Sequence, residues 1–353
     1  MPSTKIVKLD PQNPQEDYLE EAAEIIKNGG LAIIPTETVY GIAANMLNRE
    51  TINRLYEVKN RPKEKLFSLH IERKERMEEF AKNIPVLAYK FADEFWPGPL
   101  TMILKSNNHG TIGIRVPDNQ IALRIIELAE VPVVCPSANL SGAPAPMTFT
   151  EAIRGLEGKV DFAIDAGDTE LGVESTVVDL SVTPFAVLRE GAIKKEKLEE
   201  LAAKKTVLFI CTGNSCRSVM AKALLEKKLR EDNRTNIKVL SAGILMLKGT
   251  GATQLTERAL EQEGIDVSAH RSQQVTKEML KQADIILLME KRHELEVLRL
   301  APEIKNRVFL LKEFAKIKDN NLSIQDPIGK PLEFYQMTLA VIKETVERIS
   351  KLI

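Results

Sequence analysis

The sequence predicts an α/β chain of two domains, a twisted sheet of mixed direction followed by a parallel sheet covered by helices on both faces. Three observations predict it. The chain has 353 residues, more than one compact core usually covers. From residue 206 onward, short apolar runs alternate with amphipathic helices, the rhythm of a parallel sheet buried on both sides. Before that point strands and helices mix without a strict βαβ order. Composition fits this class: 44% of residues are hydrophobic and 28% charged, as in ordinary soluble domains.

The first half opens with DYLEEAAEIIKNGG, an amphipathic helix stopped by a glycine pair, and LAIIP, a short buried strand. ETINRLYEV and ERMEEFAKNIPVLAYKFADEF read as helices. LTMIL, IGIRVP, VPVVCPSA and STVVDL read as strands bounded by Pro, Gly and Asn. A charged helix over AIKKEKLEELAAKK (192–205) has no wide apolar stripe and leads into a fresh strand, so the boundary is expected near residue 203, giving domains 1–203 and 204–353. The second half then runs TVLFI strand, MAKALLEKKLRE helix, IKVLSAG strand, TERALEQEG helix, DIILLM strand, RVFLL strand and a closing helix EFYQMTLAVIKETVERISKL.

Several classes are set aside. No apolar run approaches the roughly 18–20 residues of a membrane span, and the first twelve residues lack a signal-peptide core. Three cysteines fit a reducing compartment, so a cytoplasmic protein with no membrane association is expected. No Cys/His cluster has zinc-site spacing. Residues 1–205 carry 25 basic and 31 acidic groups, and residues 206–353 carry 24 and 19. That split is either ordinary variation between domains or a preference of the second half for anions. Neither half is basic enough to imply nucleic acid from charge alone.

The clearest chemistry lies in TVLFICTGNSCRSV (206–219). A strand that ends in a tight loop and opens a helix aims backbone N–H groups at one point, a cradle for a phosphate dianion. Cys211 stands at the start of that loop, where the helix dipole and unpaired N–H groups favour a nucleophilic thiolate. Arg217, six residues on, can grip two phosphoryl oxygens with its fork. Ser218 is placed to hydrogen-bond the Cys211 sulfur, and Gly213 to let the backbone turn. Asp326, in the loop SIQDPIGKPLEFY, supplies a general acid and then a base for water. This chemistry needs no metal or other cofactor.

These motifs, with SAG (241–243), HRS (270–272), DIILLM (284–289) and the Asp326–Pro327 pair, resemble the low-molecular-weight protein tyrosine phosphatase family over about 206–353. The resemblance implies a Rossmann-like four-stranded parallel sheet with helices on both faces. It also implies a phosphorylated protein substrate, with Cys211 as nucleophile, Arg217 as phosphate clamp and Asp326 as general acid. Thr212, Gly213, Asn214, Ser215, Cys216 and Ser218 form the rest of the phosphate-binding loop. Tyrosine-specific members often carry a bulky aliphatic residue where this chain has Ser215, and aromatic residues after the Asp-Pro pair, where this chain has Ile328-Gly329-Lys330. Both departures resemble the bacterial protein-arginine phosphatase branch. Phosphoarginine and phosphotyrosine stay open at this point, as does a neutral role for Ser215. Arsenate reductases of the family relay electrons through further cysteines, and none follows Cys216. Cys216 is either a partner for a reversible disulfide with Cys211 or an inert buried thiol.

The first half places polar groups at strand ends: Thr36 in IIPTETVYG, Lys59 and Arg61 in VKNRPKEK, His70 in SLHIE, Arg115 in RVP, Ser137 and Asn139 in CPSANLSG, Ser175 in VESTVVDL and Arg189 in VLREGAI. Lys59 and Arg61 are read as lying on one side of an extended segment. If the sheet gathers these ends, the result is a basic, hydroxyl-lined cleft suited to a triphosphate. PTETVYG, KNRP, WPGPLT, PSAN and ESTVVD, in that order, resemble the YrdC-like threonylcarbamoyl-AMP synthase family over roughly 5–200.

That resemblance implies a YrdC-like twisted mixed sheet. It implies formation of threonylcarbamoyl-AMP from L-threonine, bicarbonate and ATP, with Mg²⁺ accompanying ATP and pyrophosphate released. Another enzyme then passes the threonylcarbamoyl group to adenosine 37 of tRNAs that read ANN codons. By the same resemblance Lys59 and Arg61 neutralise ATP phosphates and the carbamate, and Thr36, His70 and Ser175 hold threonine. Arg115 pairs with a substrate carboxylate or phosphate, and Ser137, Asn139 and Arg189 hold the nucleotide; a structural role for His70 is the alternative. Longer members carry a different C-terminal domain after a linker that covers the site. The competing readings are a non-catalytic RNA-binding module in the first half, and a regulatory phosphopeptide-binding module in the second. The net negative charge of residues 1–205 and the Lys59/Arg61 pair weigh against the former. The joint presence of Cys211 and Asp326 weighs against the latter.

Overall fold

A computed structural model describes residues 3–245 and 249–353. The chain divides into two compact units, 1–201 and 202–353. Both are α/β. Among the described residues no helix is long and apolar enough to cross a membrane.

The first unit is built on ten strands: β1 (Lys5–Lys8), β2 (Ala32–Ile34), β3 (Gly41–Asn45), β4 (Leu69–His70), β5 (Leu100–Lys105), β6 (Thr111–Arg115), β7 (Val133–Val134), β8 (Phe162–Asp165), β9 (Thr176–Asp179) and β10 (Ala186–Arg189). They lie in the order β1-β8-β2-β3-β7-β4-β6-β5-β9-β10. Parallel pairs (β1/β8, β4/β6) occur beside antiparallel ones (β2/β3, β5/β6, β9/β10), so the sheet is mixed. Successive side chains of one strand point to opposite faces, which builds two cores from the same strands. Ala32, Ile34, Phe162 and Ile164 pack with Leu19, Ile26, Ile125 and Ile126 from the helices Glu16–Lys27 and Gln120–Ala129. Ile33 and Ala163 face the other way, toward Leu55 of the helix Arg49–Lys59 and toward Leu156.

The second unit carries β11 (Lys205–Cys211), β12 (Ile237–Gly243), β13 (Ile285–Leu288) and β14 (Val308–Leu310), all parallel, in the order β12-β11-β13-β14. β11 is buried on both faces. Val207, Phe209 and Cys211 pack against Met220 and Leu224 of the helix Arg217–Glu231 and Ile342 of the helix Leu332–Ile349. Leu208 and Ile210 pack against Val297 of the helix Lys291–Leu300 and Leu280 of Lys277–Gln282. Helices on both faces explain why these strands read as continuous apolar runs.

Three local expectations are corrected. The long helix over 75–95 is broken: a short turn at Met77–Phe80 ends at Ala81, and Asn83 (φ 50°) and Pro85 intervene before the helix Val86–Phe95. Pro85 stands at the N-cap of that second helix, and a proline disfavours helical geometry in the residue before it, which breaks the run. VPVVCPSA keeps only Val133–Val134 as strand, since Pro132 and Pro136 flank it. Lys59 and Arg61 are not on an extended segment. Lys59 is the last residue of the helix Arg49–Lys59, Asn60 caps it in the left-handed conformation (φ 48°), and Arg61 follows the turn.

Candidate active sites

In the first unit, β2 ends at Ile34 and the chain makes a tight turn through Pro-Thr-Glu-Thr before β3. The Thr36 hydroxyl closes the turn: it donates to the Val39 carbonyl at 2.6 Å and accepts from the amides of Thr38 and Val39. At Gly41 a Cβ would stand 2.4 Å from the Cys135 sulfur, so any other residue there forces the Cys135 side chain to shift where β3 lies against the Cys135–Pro136 segment. Around these strand ends lies a cavity of about 430 Å³. Seven residues expected at a ligand site line it: Thr36, Arg61, His70, Arg115, Ser137, Ser175 and Arg189. Lys59 and Asn139 stand behind that wall. The Lys59 ammonium donates to the carbonyls of Ser137 and Asn139 (2.7 Å to the latter), and the Ser137 hydroxyl donates to Asn139 Oδ1 at 2.6 Å.

Charge in this cavity is held in place by partners. Arg115, at the end of β6, donates through Nη2 to Glu37 Oε1 at 2.6 Å and to the Thr38 hydroxyl at 2.8 Å, and through Nε to the Gly98 carbonyl. Arg189 pairs with Glu174, and its Nε and Nη2 hold the Ser175 carbonyl at 3.1 and 2.9 Å. Its Nη2 also reaches the Ser175 hydroxyl, which lies 2.9 Å from that of Thr101. Arg61 donates to the carbonyls of Lys65 and Leu66 and lies over the Phe67 ring.

Burial pushes the Lys59 ammonium down to about 8, with the nearby Arg61 charge adding to the effect. Burial, reinforced by Arg115, takes His70 down to about 3, so its imidazole is neutral. His70 pairs with Arg115 across β4 and β6. Glu37, Glu64, Glu174, Thr101 and Cys135 were missed as site residues, although Glu37 and Glu174 lie inside the quoted PTETVYG and VEST stretches. Among the described residues no group of three or more His, Cys, Asp or Glu side chains could hold a metal ion.

In the second unit, β11 delivers Cys211 to the bottom of the loop that opens the helix Arg217–Glu231. The Asn214 amide donates to the Cys211 sulfur at 3.2 Å, and the Ser218 hydroxyl lies 3.0 Å from it. The Asn214 carboxamide N–H donates to Ser218 Oγ and to Ser241 Oγ, both at 3.0 Å. Ser218 is thereby an acceptor from Asn214, which leaves its own proton for the sulfur. Asn214 takes the left-handed conformation in the loop (φ 53°). Gly243 is a glycine the loop requires, since a Cβ there would sit 2.8 Å from the Thr212 carbonyl and 2.9 Å from the Asn214 amide. This gives SAG its physical reason. His270, of HRS, donates from Nε2 to the Asn214 carbonyl at 2.7 Å.

Arg217 is 1% exposed. Its Nη1 binds Glu290 and, at 2.8 Å, the Ile324 carbonyl; its Nη2 binds Asp326 and, at 3.2 Å, the Thr212 hydroxyl. Nε has no partner. Glu290 is held below its ordinary value: burial works to raise it, and Arg217 and Arg292 overcome that. His293, fully buried, accepts the Glu290 amide on Nδ1 at 3.2 Å, so Nε2 carries the proton that reaches the Thr212 hydroxyl at 3.1 Å. Burial first, and then Arg217, take His293 down to about 4. Ser215 is half-buried, with its hydroxyl 3.7 Å from the Cys216 sulfur. Cys216 is buried and free, with the Thr253 hydroxyl at 3.4 Å and Tyr335 at 3.9 Å. Cys211 is also a free thiol. Glu290 and His293 were missed because the quoted strand stops at Met289 and neither belongs to the loop motif.

Comparison with known proteins follows the same division. Residues 24–191 match the Sua5/YciO/YrdC family, described as telomere recombination. Residues 206–353 match the low molecular weight phosphotyrosine protein phosphatase family. A threonylcarbamoyl-AMP synthase of Pyrococcus abyssi is 41% identical over 216 residues, covering 59% of this chain and 64% of that one. The chain thus spans under two thirds of that relative's length. A putative threonylcarbamoyl-AMP synthase of Methanocaldococcus jannaschii is 37% identical, covering 55% of this chain and 96% of its own. A protein-arginine-phosphatase of Geobacillus stearothermophilus is 35% identical over 145 residues, covering 41% of this chain and 93% of its own. The chain belongs to the Sua5/YciO/YrdC family through its first unit and to the low molecular weight phosphotyrosine protein phosphatase family through its second.

Proposed function

We propose that the chain is bifunctional, with a threonylcarbamoyl-AMP synthase in residues 1–203 and a cysteine-dependent protein phosphatase in residues 204–353. For the first activity, the observation that carries the reading is the one cavity that gathers Thr36, Arg61, His70, Arg115, Ser137, Ser175 and Arg189. The threonine amine takes up the carbon of bicarbonate with loss of water. A carbamate oxygen then attacks the α-phosphorus of ATP and pyrophosphate leaves. Arg61 and Arg115 offset charge that builds on the phosphoryl oxygens and the carboxylate. The hydroxyls of Thr36, Ser137 and Ser175 and the neutral His70 orient the reactants, so positioning supplies most of the rate. Mg²⁺ would accompany ATP and offset the charge on its phosphates. The product passes to a transferase that acts on tRNA, and a cytoplasmic location suits that hand-off. In an assay that omits one substrate at a time, pyrophosphate release should require threonine, bicarbonate and ATP together. Release without threonine at the full rate overturns the synthase reading.

For the second activity, the reading rests on the Cys211 sulfur receiving the Asn214 amide with Ser218 beside it, while Arg217 stands over the same loop. The thiolate attacks phosphorus, the bond to the leaving atom breaks, and Asp326 protonates that atom. The Asp326 carboxylate then takes a proton from water, which attacks the thiophosphate and releases phosphate and Cys211. We assign phosphoarginine as the preferred substrate. The small hydroxyl of Ser215 suits a polar guanidinium, and the relative from Geobacillus stearothermophilus carries the name of an arginine phosphatase.

A further inference from the structure

Lys59 belongs to a motif expected to grip phosphates, yet its surroundings describe another task. The side chain is 2% exposed. An ammonium has three protons to donate, and this one has three acceptors within 3.3 Å: the carbonyls of Ser137 and Asn139, and Asn139 Oδ1. No donor is left over for a ligand. The Lys59 carbonyl meanwhile accepts from the Ser141 amide at 2.8 Å, so both ends of the residue hold the same loop. Asn139 fastens that loop further, donating to the Ala143 carbonyl and accepting from the Ser137 hydroxyl. Ser137 faces the cavity, and Lys59 and Asn139 do not line it.

We propose that Lys59 is a positioning residue that pins the Ser137–Asn139 segment and sets the Ser137 side of the cavity without touching the bound anion. A rigid loop behind the wall then aims the Ser137 hydroxyl, and Arg61, Arg115 and Arg189 supply the positive charge that meets phosphate. Drawing Lys59 into the cavity would break its bonds to the part-buried carbonyls of Ser137 and Asn139, which opposes that motion. The proposal rests on the synthase reading for its kinetic part and on geometry alone for its chemical part.

The test uses the full chain and a water-soluble amine-acetylating reagent, with site occupancy read by mass spectrometry. Exposed Lys8 should label readily, and Lys59 should label at least about tenfold more slowly, with or without saturating ATP, as burial and three hydrogen bonds require. Labelling of Lys59 at the rate of Lys8 in the ligand-free chain overturns the proposal, whether or not ATP protects it. In kinetics, Lys59→Met and Asn139→Ala should each lower kcat about tenfold with KM for ATP within about twofold. The double variant should be no worse than the poorer single one, because both act through one loop. A large rise in KM for ATP in Lys59→Met with kcat kept overturns the proposal as well. The labelling arm reads without turnover. Its failure sinks the positioning role alone, and absence of threonine-dependent pyrophosphate sinks the synthase reading alone.

Discussion

Arg115 and Glu37 form an ion pair at 2.6 Å in which both side chains are about 5% exposed. The pair links the end of β6 to the turn after β2 and holds Arg115 on the cavity wall. Among the described residues Glu37 Oε2 has no hydrogen-bond partner. Glu37→Ala leaves an uncompensated buried guanidinium, which costs roughly 3–5 kcal/mol of stability. Glu37→Gln keeps an acceptor for Nη2 and should lose less. Chemical denaturation of the first unit's transition measures both. The expected order is wild type, then Gln, then Ala, and an alanine variant as stable as wild type refutes the pair's role.

Cys211→Ser should abolish turnover of an aryl phosphate while inorganic phosphate still binds, because the loop amides and Arg217 remain. Ser218→Ala removes a hydrogen bond to the attacking sulfur, and a lost charge-assisted bond of this kind lowers kcat by about tenfold or more. Single-turnover kinetics beside phosphate binding by calorimetry separate the two effects. Full activity in Cys211→Ser would end the cysteine mechanism.

His293 gives the second unit a pH dependence whose sign follows from its hydrogen bonds. Its Nδ1 accepts the Glu290 amide, so a second ring proton has no acceptor and the folded state holds the neutral form, down to about 4 against 6.5 for a free imidazole. The unfolded chain takes up that proton first. Stability from this residue is therefore fully present above pH 6.5 and is lost as pH falls through about 4. Urea midpoints followed from pH 7 to 4 should decline, and His293→Gln should flatten part of that decline. An equal slope in the variant removes His293 as the source.

Ser215 is the loop residue through which substrate choice is expected to run. The wild type should hydrolyse a phosphoarginine peptide in preference to a phosphotyrosine peptide. Ser215→Ile should reverse the order by replacing the hydroxyl with an apolar side chain. The ratio of kcat/KM for the two peptides decides it, and a wild-type preference for phosphotyrosine unchanged by the swap rules out the arginine assignment.

Much of the second unit was legible residue by residue because its chemistry is local. Cys211, Asn214, Arg217 and Ser218 are close in sequence, and a strand–loop–helix order forces them round one point. What escaped were residues that meet Arg217 from afar. Glu290 and His293 lie more than seventy positions away and follow a strand that reads as ordinary core. The first unit was legible only as an ordered set of motifs. Nothing in Thr36, Arg115, Ser175 and Arg189 says that they meet, because the sheet order places β6 and β9 on either side of β5 and brings β2 near them through β3, β7 and β4.

Taken alone, the sequence determined the two α/β units, the nucleophile loop and seven of the residues that line the cavity, because periodicity, turn chemistry and short-range spacing act within a few positions. Only the tertiary structure decided which partners hold each charge. Arg115 is held by Glu37, Arg189 by Glu174, Arg217 by Glu290 and Asp326, and Lys59 by backbone carbonyls. A buried charge has to find partners at whatever distance along the chain the fold supplies them. Spacing in the sequence carries no record of that choice.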